Sequence, residues 1–178
     1  AKAMKRIDQD IELVAVGSSG TQLDTYLEWD RVVLEHVYDC CDYISLHRYM
    51  GMASIDDPAT YDKKDAGDYF ELAGRFERNI KDVVAACDHV KGRKHSDKTM
   101  YISADEYHAI DVNPVDDLLQ TPLAEKRPWA IGPSVQPRGT SMRSTLLFGS
   151  SMLVLPRHSD RIKIACQSIL INGDGLVS

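Results

Sequence analysis

The sequence contains no Cys-x-x-Cys pair, no glycine-rich phosphate loop, no excess of basic residues and no apolar run approaching the roughly 20 residues that span a membrane. Each absence excludes a class. The four cysteines stand at positions 40, 41, 87 and 166. Adjacent residues such as Cys40 and Cys41 make poor disulfide geometry, so buried, reduced thiols of a cytosolic protein are expected rather than a disulfide frame or a zinc site. A formal net charge of −6 and a pI near 5.5 leave no electropositive footprint, so nucleic acid is not an expected partner and an uncharged ligand is easier to accommodate. No charged start followed by an apolar stretch marks a secretion signal, and no membrane partner is expected; the expected location is cytoplasmic. An initiator Met is also missing. Residues 1–8 (AKAMKRID) read as the last turns of a helix already under way, so the true beginning is expected upstream.

What is present describes an ordinary globular chain. In 178 residues, 43% hydrophobic and 27% charged with eleven glycines and seven prolines, nothing points to disorder, a fixed-period repeat or a low-complexity tract. Residues 12–19 (ELVAVGSS) have the composition of a buried strand ended by Gly and Ser. Trp29, Val32, Val33, His36 and Val37 follow at helical spacing. Residues 43–49 (YISLHRY) predict a second strand with Ile44 and Leu46 on one face and Ser45, His47 and Tyr49 on the other. After a polar connection, Phe76, Ile80, Val83, Val84, Cys87 and Val90 form the stripe of a long helix, with Gly92 placed to supply a left-handed cap.

Residues 100–107 (MYISADEY) predict the third strand, ended by an acidic pair and followed at once by an irregular segment. Strict alternation sends Met100, Ile102, Ala104 and Glu106 to one face and Tyr101, Ser103, Asp105 and Tyr107 to the other. On that parity the two acids cannot share a site, and only one of them is a pocket acid. Five prolines between His108 and Thr140 predict a long loop at the same end, where loops line sites. A helix through Ser144, Leu147, Ser151 and Leu155 then leads to a fourth strand at residues 162–166 (IKIAC).

Alternating strands and helices predict an α/β fold with a parallel sheet, doubly wound or part of an eightfold TIM (β/α)8 barrel. Polar side chains at successive strand ends (Ser18 and Ser19, His47 and Tyr49, Glu106), the missing phosphate loop, and small strand residues such as Ala15, Gly17 and Ala104 favour the barrel. A complete barrel takes about 250 residues. The expectation is therefore a partial barrel over residues 1–178, with two sheet edges and apolar surface left for a missing half or for self-association.

Three segments in this order, residues 44–49 (ISLHRY), 102–106 (ISADE) and 158–166 (HSDRIKIAC), resemble the second half of the catalytic barrel of glycoside hydrolase family 51, the retaining α-L-arabinofuranosidases. The opening residues and the 12–19 strand are similar too, so the resemblance covers nearly the whole chain. It implies strands five to eight of the barrel, with the upstream half and a following β-sandwich domain outside this sequence. It implies Glu106 as the nucleophile on the seventh strand, with His47 and Tyr49 of the sixth strand orienting nucleophile and sugar. The implied substrate is a terminal arabinofuranosyl group of arabinan or arabinoxylan oligosaccharides. No metal or organic cofactor is implied.

The chain also departs from the family pattern. The Gly-Asn-Glu tripeptide that carries the acid/base occurs nowhere in it. Tyr107, His108, Ala109 and Ile110 follow the nucleophile position where Trp-Asn and a further aromatic are usual. Ile169 stands where a Gln commonly contacts the sugar, with Gln167 two residues earlier. Leaving-group protonation is worth about 10²- to 10⁴-fold, so the isolated chain is expected to be nearly inactive. The alternative is a noncatalytic half-barrel that binds sugar or serves as an interaction module. Metal-dependent hydrolysis through His47, Asp105, Glu106 and His108 is disfavoured by parity, which points Asp105 away from Glu106.

Overall fold

The computed structural model describes residues 1–50, 66–109 and 142–168. In chain order these form α1 (Lys2–Ile7), β1 (Val14–Ala15), α2 (Glu28–Val37), β2 (Tyr43–Met50), α3 (Ala66–Arg93), β3 (Tyr101–Ala109), α4 (Met142–Arg157) and β4 (Ile162–Gln167). Among the described residues the sheet has the order β1-β2-β3-β4 with every neighbouring pair parallel. Each connection therefore steps one strand in the same direction. A doubly wound sheet reverses its strand order and carries helices on both faces. Here one cluster joins Leu34 and Tyr38 of the α2 end, Phe76 and Ile80 of α3 and Leu147 and Val154 of α4 to Ile44, Leu46, Met50, Ile102 and Ala104 of the sheet. Among the described residues these helices line one face of the sheet, and the other carries polar side chains.

The long helix follows its sequence pattern. Phe76, Ile80, Val83, Cys87 and Val90 of α3 are each 2% exposed or less, the i, i+3, i+4 stripe that buries a helix on a sheet. Burial pushes the Cys87 thiol up to about 12, so it packs as a small apolar group. All four cysteines are free thiols; Cys41 is also buried, whereas Cys166 is exposed, against expectation. Lys91 and Arg93 complement the negative end of the α3 dipole. The left-handed residue beyond the helix is His95, at φ 50°, and Gly92 lies inside the last turn. In α4, Ser144, Leu147, Ser151 and Leu155 are buried as the spacing predicts.

The apolar stripe read for α2 is not its buried face. Trp29 and Val32 are exposed at 47% and 37%, while Asp30, Leu34 and Tyr38 are fully buried. The spacing i, i+4, i+8 holds, but its first member is a carboxylate. Asp30 Oδ1 accepts the Ser18 backbone N–H at 2.9 Å and Oδ2 accepts the Ser18 hydroxyl, which fixes the chain as it leaves β1. Beside it, a Cβ on Gly17 would collide with the Ser45 carbonyl oxygen of β2. Only glycine permits this approach. β1 itself is shorter than residues 12–19 suggest: two residues pair with β2, and Val14 and Val16 are exposed.

The third strand departs most from strict alternation. Ser45 of β2 pairs with Ser103, but His47 pairs with Glu106, so β3 carries one extra residue between them. This is a β-bulge, which places two consecutive residues opposite one and turns both to the same side. β3 also runs on to Ala109, so the irregular segment expected after Tyr107 does not begin there. The proline-bearing loop from Ile110 onward, the 51–65 connection and Ile169 lie outside the described residues.

At the opposite end of the sheet Asp42 ties three segments together. Its Oδ2 accepts the Leu13 N–H at 2.9 Å and lies 3.2 Å from Lys5 Nζ, and Lys98 Nζ is 3.6 Å from Oδ1. Burial alone would raise its pKa; the Leu13 hydrogen bond and the two lysines outweigh that and hold the carboxyl below its ordinary value. A depressed carboxyl contributes stability above its unfolded value of about 4, and that contribution is lost as pH falls through the folded value. Asp42→Asn is thus expected to lower the urea midpoint at pH 7, with the gap to the parent closing as pH falls below about 4. Gly17→Ala is expected to cost stability at the upper end of about 1–3 kcal/mol in the same measurement, because the colliding atom is backbone.

Candidate active site

The polar face of β2 presents Ser45, His47 and Tyr49, as alternation predicts. The bulge brings both acids of β3 to meet them. Tyr49 Oη donates to Glu106 Oε2 at 3.0 Å, and His47 Nδ1 lies 3.4 Å from the same oxygen. On the other side of the imidazole, Nε2 lies 3.4 Å from Asp105 Oδ1, and Ser45 Oγ donates to that oxygen at 2.7 Å. One histidine therefore stands between two carboxylates. The expectation that Asp105 points away from Glu106 is overturned, because the extra residue in β3 cancels the alternation between them.

Exposure separates the two acids. The Glu106 side chain is 44% accessible and that of Asp105 is 34%, with His47 at 26% between them. Glu106 has the phenol of Tyr49 to localise charge on Oε2. Asp105 turns toward Ser45, one step nearer the start of the sheet. Lower still on this face, the Tyr43 and Tyr101 rings lie 6.2 Å apart, and Lys163 Nζ is 5.2 Å from the Tyr101 ring centre.

Residues after Glu106 divide between the two faces. Tyr107 faces the helices, its ring 6.1 Å from Phe76 and 6.0 Å from Phe148, with its hydroxyl 3.3 Å from Met152 Sδ; burial raises its pKa. It has no direct place at the site. His108 pairs in register with Tyr49 and is nearly buried, 5.6 Å from the Phe148 ring and with Nδ1 3.4 Å from Gln167 Nε2. Gln167, at the end of β4, therefore reaches the same strand-end region. Among the described residues no three His, Cys, Asp or Glu side chains are arranged to hold a metal ion.

A carboxylate at the C-terminal end of a parallel strand, held by a tyrosine of the neighbouring strand, has the geometry of a nucleophile or acid/base in sugar chemistry. No family model matches the chain. Its relatives are glycoside hydrolases. It is 38% identical over 172 residues to an intracellular exo-α-(1→5)-L-arabinofuranosidase of Acetivibrio thermocellus, an alignment that covers 97% of this chain and 32% of that protein. It is 36% identical over 176 residues to intracellular exo-α-(1→5)-L-arabinofuranosidase 1 of Bacillus subtilis, covering 97% of this chain and 31% of that one. Among solved structures, AbfB, a family 51 α-L-arabinofuranosidase of Bifidobacterium longum, matches with a TM-score of 0.77 at 24% identity over 98% of this chain and 33% of its own. The arabinose complex of the Thermotoga maritima α-L-arabinofuranosidase matches with a TM-score of 0.64 at 18% identity, covering 98% of this chain and 28% of its own. The structural likenesses show the shared α/β fold. The resemblance to family 51 α-L-arabinofuranosidases is thus borne out along nearly all of this chain, which spans about a third of the length of those relatives.

Proposed function

We propose that this chain is the nucleophile-bearing part, strands five to eight of a (β/α)8 barrel, of a retaining α-L-arabinofuranosidase that releases terminal arabinofuranosyl groups from arabinan and arabinoxylan oligosaccharides. The observation that carries this reading is Glu106 at a strand end, bonded by Tyr49 and flanked by His47, in a chain 38% identical to an arabinofuranosidase. Helices on one face of a singly wound sheet support the barrel. A cytoplasmic location is proposed from relatives named intracellular. No helix among the described residues is long and apolar enough to cross a membrane.

In the first step a Glu106 carboxylate oxygen attacks the anomeric carbon, a carbon–oxygen bond forms, and the glycosidic bond breaks as its oxygen takes a proton from the acid. In the second, water gives a proton back to that group and displaces Glu106, so the anomeric configuration is retained. Tyr49 holds Oε2 and steadies the carboxylate as its charge is spent and restored. The acid/base belongs to the upstream half. No Gly-Asn-Glu occurs in these 178 residues, and Asp105 is tied to Ser45 and His47.

The same half would cover the flank formed by exposed Val14, Val16, Trp29 and Val32, where β1 has no outer neighbour among the described residues. Size-exclusion measurement distinguishes this partner from self-association, which would appear as a dimer of the isolated chain. A second reading, a noncatalytic sugar-binding half-barrel, is favoured by Tyr107, which faces the helices where the family pattern has a tryptophan.

In a polypeptide that extends this chain upstream, 4-nitrophenyl α-L-arabinofuranoside is expected to be hydrolysed, whereas the isolated chain is nearly inactive. Glu106→Ala should lose about 10⁴-fold or more in kcat. Added azide should restore turnover and yield the β-configured arabinofuranosyl azide, since it enters from the face the carboxylate leaves vacant. Saccharide binding with no turnover in the extended protein would instead establish the second reading.

A further inference from the structure

We propose that Asp105 is a positioning residue of this reaction: together with Ser45 it fixes the His47 ring, and the ring fixes Glu106. The inference rests on the catalytic reading above and adds to it the second acid of β3, which the bulge leaves on the same side of the sheet as Glu106. The chain of contacts is continuous. Ser45 Oγ donates to Asp105 Oδ1 at 2.7 Å, His47 Nε2 lies 3.4 Å from that oxygen, His47 Nδ1 lies 3.4 Å from Glu106 Oε2, and Tyr49 Oη donates to the same Oε2 at 3.0 Å.

The arrangement has a cost that a plain strand end would not carry. A bulge interrupts the ladder between Ser45 and His47, and it sets two carboxylates on one side of the sheet. The imidazole stands between them. A ring engaged at one nitrogen swings about its side-chain bonds. With a carboxylate oxygen 3.4 Å from each nitrogen, it is confined from both sides, and its Nδ1 stays toward Glu106. Ser45 supplies the fixed end, because its hydroxyl, on a residue 8% exposed, holds Asp105 against β2. With Tyr49 on the same Oε2, Glu106 is gripped by two groups on one oxygen, which orients its carboxyl plane for in-line attack. Misplacement of a reacting group by about 1 Å can cost about 10²-fold in rate.

The test uses the upstream-extended polypeptide with 4-nitrophenyl α-L-arabinofuranoside, comparing Asp105→Asn, Asp105→Ala and the parent. The expected result is a fall in kcat of about 10²-fold for Asp105→Ala with KM within about twofold, and partial rescue in Asp105→Asn, whose amide oxygen still accepts from Ser45. A second readout needs no turnover: the ¹⁵N resonances of the His47 ring in the same proteins. Asp105→Asn is expected to move the Nδ1 signal on the Glu106 side as well as the Nε2 signal. An unchanged kcat, a rise in KM alone, or a ring signal that does not respond would overturn the proposal. If the parent itself shows no turnover, the catalytic reading fails, and the ring signals still decide whether Asp105 controls His47. Because Asp105→Asn preserves shape, a variant that fails to fold with alanine leaves both readouts intact.

Discussion

The site depends on a single extra residue in β3. Without it, Glu106 would face the helices with Ala104, and the carboxylate would be buried among apolar side chains. With it, Asp105 and Glu106 both reach the polar face, and His47 separates their charges. The bulge works because its two ends are pinned. On one side Ser103 keeps register with Ser45, and on the other Tyr107 is locked between Phe76 and Phe148 on the helix face.

The helix layer gives those pins their rigidity. Among the described residues three helices pack on one face of a sheet whose strands follow chain order, and the other face carries polar groups. The approach of β1 to β2 has a similar logic: Gly17 allows backbone contact, and buried Asp30 accepts two hydrogen bonds from Ser18. A charged residue at the centre of the α2 interface is stable there because its acceptors are occupied, as burial of a carboxylate requires. The exposed apolar residues collect beyond this point, at Val14, Val16 and Trp29.

Much of this was legible from residue pattern alone. The α3 stripe from Phe76 to Val90 and the alternation of Ser45, His47 and Tyr49 on β2 are direct consequences of helix and strand periods acting on a two-sided environment, and both are found as expected. Three features were not legible, each for a physical reason. Asp30 is hidden because a hydrophobic pattern passes over a carboxylate, although its spacing to Leu34 and Tyr38 is that of a buried face. The left-handed turn after α3 falls on His95 rather than Gly92, since helix length was set by packing and not by the first permissive residue. Parity failed at Glu106 because a period of two holds only while the register does, and nothing in residues 100–107 marks the extra residue. Two consecutive acids at a strand end are the one available sign.

The central claim is that Glu106 forms the covalent bond to the sugar. Its most direct test is to trap the upstream-extended protein with an arabinofuranosyl aziridine that opens at the anomeric carbon, digest it, and locate the added mass by fragmentation. The account predicts a single adduct on Glu106. An adduct on Asp105, or on a carboxylate outside this chain, would contradict it.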